Sequence, residues 1–491
     1  MKNIRVIVFS ILIISILIWV IFELNSSSDG YIYGNSYRQN KLVNVIRLHK
    51  YGITGKNITI GILDAGFYTL HPVFSNTHVT KEFDFVENKP TTLNYRHMKG
   101  LDHGTNVFSV LGGYKENELV GIAYGANFIL AKSDISTGRW VQEEENAIKA
   151  SRWLFDNDAN IITTSLSFNK FDDADYYYPY QMNGKTARIT KTADSLADRG
   201  VIYICSAGNN YDNDWHIIEP PGDGFKVLTA GSIDKNLNHS FFSSCGPTVD
   251  GRIKPDIVTP GEGVWIANYL PKIKPEYSWS HGTSLSAPIA AGIAALVLSA
   301  HPELSSEQVA DAIKKTSSRS DYPDTLYGWG IPDAEKAVTY FGPAFSNTPE
   351  LIDNGGEIEI KTYGFSSYGL IKSSVELHLL AGTQKKESVY KMKETDDNYY
   401  SCRIEVTQGK ENIRFYFTAK DERGYLTKYP SRILGEYFTY QKVNGSLVFL
   451  AYFSTSSIRN SLDFSATLWL LANPVPHPPL FHTRLLVLIF F

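Results

Sequence analysis

Three residues far apart in the chain, Asp64, His103 and Ser284, stand in contexts that suit nucleophilic catalysis. A serine hydroxyl is a weak nucleophile by itself; it needs a base within hydrogen-bond reach and donors for the oxyanion that forms after attack. Ser284 lies in His281-Gly-Thr-Ser-Leu-Ser-Ala-Pro288, which runs into the apolar, small-residue stretch Ile289–Leu298. Pro288 suits the first turn of a helix, where its missing N–H costs little. The sequence therefore predicts Ser284 in a short loop at the positive end of a buried helix. Taken alone, such a serine reads as a helix cap. In Asp102-His-Gly-Thr105, the histidine precedes Val107, Val110 and Leu111 at helical spacing, which puts an imidazole on a first turn. Asp64 closes an apolar run before Ala65-Gly66, so its carboxylate can emerge at a strand end, although Asp before Gly is by itself a turn signal. His281 begins a second His-Gly-Thr, but it belongs to the same segment as Ser284 and cannot easily be oriented by Asp64 and poised against that hydroxyl at once.

The elements that must carry these residues alternate between strand and helix from Tyr31 to about Gly342. Segments 57–64, 126–132, 159–166, 200–208 and 226–233 are apolar enough for strands buried on both faces, and 142–156 and 189–199 read as helices. Such alternation predicts an α/β fold, a mostly parallel sheet covered by helices on both faces, with functional residues at the strands' carboxyl ends.

The chain order Asp, His, Ser is one of the known orders of the Ser-His-Asp triad. Ile62-Leu-Asp-Ala-Gly66, His103-Gly-Thr-Asn-Val107 and Gly282-Thr-Ser-Leu-Ser-Ala-Pro288 resemble the three signature segments of the subtilisin-like serine peptidases, and they span nearly the whole 31–343 region. The resemblance implies that Asp64, His103 and Ser284 are catalytic. Ser206-Ala207-Gly208-Asn209 resembles the family's oxyanion-hole segment, with Asn209 as side-chain donor beside the Ser284 amide. Ser165, Leu166, Ser167, Ala207 and Gly208 are then the expected substrate-binding residues. Ser243-Ser-Cys-Gly-Pro247 and Gly251-Arg-Ile-Lys-Pro-Asp256 are also similar to segments of exported bacterial members. Two features depart from the pattern. Ser167 stands where a glycine is common, which adds a side chain at the cleft edge. Little sequence separates the N-terminal apolar run from the catalytic region, where relatives usually carry a pro-domain, so folding is expected either unaided or with help from elsewhere. No cofactor is expected, and no calcium or other metal ligand set is legible. A catalytically silent binding protein on the same fold is the alternative reading. An α/β-hydrolase esterase would need Gly-x-Ser-x-Gly and a histidine last in order, neither of which fits Ser284.

Composition narrows the partners. The 491 residues are 43% hydrophobic and 20% charged, with a net charge of -4 and no long basic block, so a protein or peptide substrate is expected and nucleic acid is not. Oligomeric state is not legible. The three cysteines, Cys205, Cys245 and Cys402, are too few for a disulfide scaffold. Met1-Lys-Asn-Ile-Arg5 followed by the apolar run Val6–Phe22 predicts an export segment over 1–30, read as an uncleaved membrane anchor with a cleaved signal as the alternative. Lys2 and Arg5 would hold the N-terminus inside and place the remainder outside. Beyond the catalytic region, 344–442 alternates apolar and polar residues in short runs and predicts an all-β, Ig-like sandwich of about 100 residues. Segment 443–491 is apolar but broken by Pro474, Pro476, Pro478 and Pro479, and is expected to be a tail without a second anchor.

Overall fold

The protein is described by a computed structural model over residues 32–93, 101–135, 141–173, 177–269, 276–354, 356–381, 387–405, 412–431, 437–443 and 446–450. The expected N-terminal anchor and most of the expected tail lie outside these residues. The chain divides into two compact units, one comprising residues 1–348, 365–370 and 421–425, the other 349–364, 371–420 and 426–491.

The first unit is built on β1 (Thr59–Asp64), β2 (His78–Asp84), α1 (Leu101–Gly112), β3 (Asn127–Lys132), α2 (Val141–Asp156), β4 (Ile161–Thr164), α3 (Arg188–Ala197), β5 (Ile202–Ser206), β6 (Leu228–Ile233), β7 (Ile257–Pro260), the ribbon β8 (Glu262–Asn268) and β9 (Glu276–His281), and α4 (Thr283–Ala300). Seven strands form one sheet in the order β2-β3-β1-β4-β5-β6-β7. Every pairing in it is parallel. Because side chains alternate across a strand, β1 divides its residues between two cores. Leu63, with Ile129, Ile162 and Tyr203, packs under Ala147, Leu154, Ile189 and Ala193 of α2 and α3. Ile60, Ile62 and Asp64 point to the other face, the side of α1, while α4 packs on β4, β5, β6 and β7. The fold is α/β with helices on both faces, as the alternation predicts. The two edge strands, β2 and β7, escape the sequence pattern: β2 is half exposed and β7 has only four residues.

α4 is the long core helix of this unit. Among its 18 residues Ser284 alone is not buried. It is apolar enough to cross a membrane, with a mean hydropathy of 1.7, yet 94% of it is buried inside the protein, so its apolarity serves the core.

The second unit contains antiparallel strands. β10 (Glu350–Asp353), β11 (Glu357–Phe365), β14 (Lys393–Asp396) and β15 (Tyr399–Glu405) pair in the order β10-β11-β15-β14. β12 (Glu376–Ala381), β13 (Ser388–Lys391), β16 (Asn412–Lys420), β17 (Leu426–Tyr429), β18 (Phe438–Val443) and β19 (Ser446–Leu450) form a second sheet around β16. The expected tail therefore begins with a strand: β19 pairs with β18 from Val443↔Ser446 to Thr439↔Leu450. The turn Asp421–Gly424 groups with the first unit rather than with the strands around it.

Candidate active site

Asp64, Ser165 to Ser167 and Ala207 to Asn209 end or immediately follow β1, β4 and β5, which are neighbours in the sheet, so the parallel topology brings three distant segments to one edge. Asp64 is fully buried. Its Oδ1 accepts from the Ala65 amide at 2.7 Å and lies 2.6 Å from His103 Nδ1. A carboxylate only accepts, so Nδ1 carries the proton and Nε2 is left as the basic nitrogen of the neutral ring. Asp64 Oδ2 is buried without a hydrogen-bond partner. The next residue explains how the ring gets so close: a Cβ at Gly104 would lie 3.2 Å from Asp64 Cβ and collide with the Gly66 carbonyl, so only glycine lets the first turn of α1 dock on the β1 end. The Tyr68 amide, donating to Thr105 Oγ1 at 2.8 Å, ties the β1 exit to the same turn.

His103 keeps 37% of its side chain exposed. Burial pulls its pKa down, but the charge and hydrogen bond of Asp64, with Asp102 and Asp134 further away, outweigh this and raise it to about 9. The histidine is therefore held towards its charged form by the group that orients it.

Ser284 occupies the second position of α4, not a loop before it. The helix starts at Thr283, so Pro288 lies inside it rather than in its first turn. The consequence is chemical: the N–H that a residue at 288 would give to the Ser284 carbonyl is missing. Ser165 Oγ donates to that carbonyl instead, at 2.8 Å, and Ser284 Oγ donates to the Ser165 carbonyl at 3.3 Å. This reciprocal pair joins the start of α4 to the end of β4. The described hydroxyl thus rests on Ser165, not on His103.

Asn209 is oriented by Thr283. Its Oδ1 accepts from the Thr283 amide at 2.9 Å and from Thr283 Oγ1 at 3.0 Å, while the Gly208 amide donates to Thr283 Oγ1 at 3.2 Å. A backbone N–H can only donate, so the amide oxygen must face Thr283 and Nδ2 must point away. It lies beside Gly282, whose φ of +139° is one that side-chain-bearing residues rarely adopt. A Cβ there would lie 3.8 Å from both Asn209 Nδ2 and the Ser284 amide nitrogen, and 3.9 Å from Ser284 Cβ. Two N–H donors and the serine thus surround one small void, a geometry suited to an oxygen that gains negative charge.

Ser165 is buried, and Leu166 and Ser167 are partly exposed beside it. Ala207 is buried behind Gly208. His281 ends β9, exposed, its ring 6.0 Å from that of Phe242. The sequence reading missed Thr283 as the clamp on Asn209, Gly104 as the docking point and Ser165 as the partner of the Ser284 carbonyl. Of these, Pro288 following Ser284 by four residues was a usable sign that the carbonyl lacks its helical donor. Cys205, Cys245 and Cys402 are buried free thiols, and burial pushes Cys205 up to about 12 and Cys245 to about 11. Among the described residues no cluster of three or more His, Cys, Asp or Glu is placed to hold a metal ion.

Residues 55–330 match the Subtilase family. The chain is 28% identical over 314 residues to the serine protease AprX of Bacillus subtilis, covering 58% of this chain and 67% of that protein. It is 26% identical over 300 residues to subtilisin E of the same organism, covering 59% and 68%. To subtilisin BL of Lederbergia lenta it is 26% identical over 291 residues, covering 59% and 94%. The solved structure of MycP3 protease from the type VII (ESX-3) secretion system shares the fold, with a TM-score of 0.50 at 20% identity, over 64% of this chain and 89% of that one. With more than half of its length matched, the chain belongs to the subtilase family of serine peptidases.

Proposed function

We propose that this serine endopeptidase cleaves peptide bonds through Asp64, His103 and Ser284. The observation that carries the reading is the bond of 2.6 Å from His103 Nδ1 to buried Asp64 Oδ1, at the sheet edge to which Ser284 is tied through Ser165. In the reaction, Ser284 Oγ leaves the Ser165 carbonyl by rotation about its Cα–Cβ bond. His103 Nε2 takes its proton as the oxygen attacks the scissile carbonyl carbon. The carbonyl π pair moves onto its oxygen, which Asn209 Nδ2 and the Ser284 N–H stabilise. The tetrahedral intermediate collapses to an acyl-enzyme as the C–N bond breaks and His103 hands its proton to the leaving amine. Water then adds by the same route, with His103 as base, and frees the new carboxyl and Ser284. Asp64 stays ionised and fixes the ring.

The protein is further proposed to be exported and tethered through Val6–Phe22, with 344–442 as an accessory module of the secreted side; the positive residues before the apolar run support this. The reaction is tested by digesting a peptide library with wild type and with Ser284→Ala. Wild type cleaves, and the variant falls by several orders of magnitude to the residual ~10³–10⁴ over water that binding and the oxyanion donors supply. A Ser284→Ala protein as active as wild type rejects the assignment.

A further inference from the structure

The first turn of α4 is held from outside the helix by two reciprocal pairs of hydrogen bonds. Ser165 and Ser284 make one, each hydroxyl donating to the other residue's carbonyl. The second is built the same way further along the turn: Thr259 Oγ1 donates to the Ser286 carbonyl at 2.9 Å, and Ser286 Oγ donates to the Thr259 carbonyl at 3.2 Å. Ser165 follows β4 and Thr259 lies in β7, so the two pairs bracket β5 and β6 in the sheet. Between them, Thr283 is tied to Gly208 and Asn209, which follow β5. Thr259 and Ser286 are fully buried, out of reach of any substrate.

A helix ordinarily fixes its first turn through N–H donors four residues further on, and Pro288 removes the one that would serve Ser284. Without a substitute, the peptide plane after Ser284 would lack the bond that sets its tilt. The Ser165 hydroxyl supplies that bond from the sheet. An anchored carbonyl fixes ψ of Ser284, and with it the place of its Cβ and its N–H relative to the strand ends. The return bond from Ser284 Oγ, at 3.3 Å, is longer than the usual O–H···O distance of about 2.7–2.8 Å, so it directs the hydroxyl without locking it against rotation towards His103. We infer that Ser165 and Thr259 are positioning residues of the reaction, whose hydroxyls set the Ser284 nucleophile and its oxyanion-binding N–H on the sheet edge. This rests on the peptidase reading above. It gives the Ser165 side chain its role on the enzyme's own helix, not on the substrate.

The test uses the full-length protein, one cleaved peptide and a fluorophosphonate, whose rate of adduct formation reads Ser284 without peptide binding. Ser165→Ala is expected to lower kcat and the labelling rate together by about 10–100-fold, between the loss of one hydrogen bond and a misplacement of about 1 Å, with KM within about twofold of wild type. Thr259→Val, which keeps the shape and removes the hydroxyl, is expected to lower both rates by about 3–10-fold. Ser165→Thr, which keeps the hydroxyl, is expected to stay near wild type. Pro288→Ala restores the helical N–H, so adding Ser165→Ala to that background is expected to cost no more than about threefold. Melting curves establish that each variant is folded. Unchanged kcat and labelling in folded Ser165→Ala or Thr259→Val, a raised KM with kcat kept, or an equal loss with and without Pro288 overturns the positioning role and leaves the peptidase reading standing. A wild type that neither cleaves peptides nor takes the label overturns both.

Discussion

Replacing Asn209 by leucine removes two things at once, and the structure allows them to be separated. The amide nitrogen bounds the void shared with the Ser284 N–H, whereas the amide oxygen serves Thr283. In the proposed reaction, loss of the nitrogen affects an oxygen that is charged only in the transition state, so kcat should fall and KM should hardly move. The size expected is about 10²–10³ in kcat, roughly 2.7–4 kcal/mol, a figure established for a side-chain donor in subtilisin and adopted for this relative. Loss of the oxygen leaves the buried Thr283 amide and hydroxyl without that acceptor, at about 1–3 kcal/mol of stability. Asn209→Asp separates the two effects: it keeps an acceptor for Thr283, replaces the donor by a carboxylate oxygen and sets negative charge beside a developing oxyanion. The aspartate variant should melt closer to wild type than the leucine variant and yet be the less active of the two. Steady-state kinetics on one cleaved peptide, run well below both melting transitions, reads each effect. A folded Asn209→Leu protein with near wild-type kcat, or an Asn209→Asp protein as active as wild type, would refute the reasoning and return Asn209 to a turn.

His103 gives opposite pH trends for activity and stability. As a base it must be neutral, so kcat/KM should rise with an acid limb above the ordinary 6.5, between there and about 9, because the exposed part of the ring lets water screen Asp64. A folded pKa above the unfolded one contributes stability that is fully present below 6.5 and is lost as pH rises through about 9, so melting temperatures should decline over the window in which activity grows. His103→Gln should abolish that decline in melting temperature; an acid limb at or below 6.5 in wild type rejects the reading. Gly104→Ala should destabilise by about 3 kcal/mol, the upper end for overpacking, because the new methyl meets the Gly66 backbone and cannot rotate away; denaturant midpoints check this, and an unchanged midpoint shows that the α1–β1 docking is loose. If Val6–Phe22 is a retained anchor, cell fractionation should find the full-mass protein in membranes with its catalytic unit outside, and a soluble, active form beginning between Leu24 and Tyr31 indicates a cleaved signal.

The three signature contexts were legible because each is local: a strand end before Gly66, a first turn at His103, and a serine at the head of an apolar helix. Their convergence also followed from pattern, since strands buried on both faces imply a parallel sheet whose carboxyl edge collects them. What stayed hidden depends on contacts between segments distant in sequence. Glu219 meets Asn169 across 50 positions, and no periodicity marks that approach. Thr283 looked like part of a motif, but its work is done on Asn209. The helix start was misplaced because Pro288 was read by its commonest position, while the tertiary bond from Ser165 Oγ lets the helix carry it one turn further in. At the other end, Asn444-Gly445 is a strong signal for a two-residue hairpin and precedes the strand Ser446–Leu450, but the apolar, proline-broken stretch beyond it masks that signal.

The central claim is that Ser284 is the nucleophile, activated by His103. Treating the full-length protein with a fluorophosphonate and locating the adduct by peptide mass spectrometry tests it most directly, because the reagent needs a serine oxygen that attacks, whatever the natural substrate. The account predicts one adduct, on the peptide carrying Ser284, absent from Ser284→Ala and formed far more slowly in His103→Ala. An adduct on another residue, or equal labelling of wild type and Ser284→Ala, would contradict it.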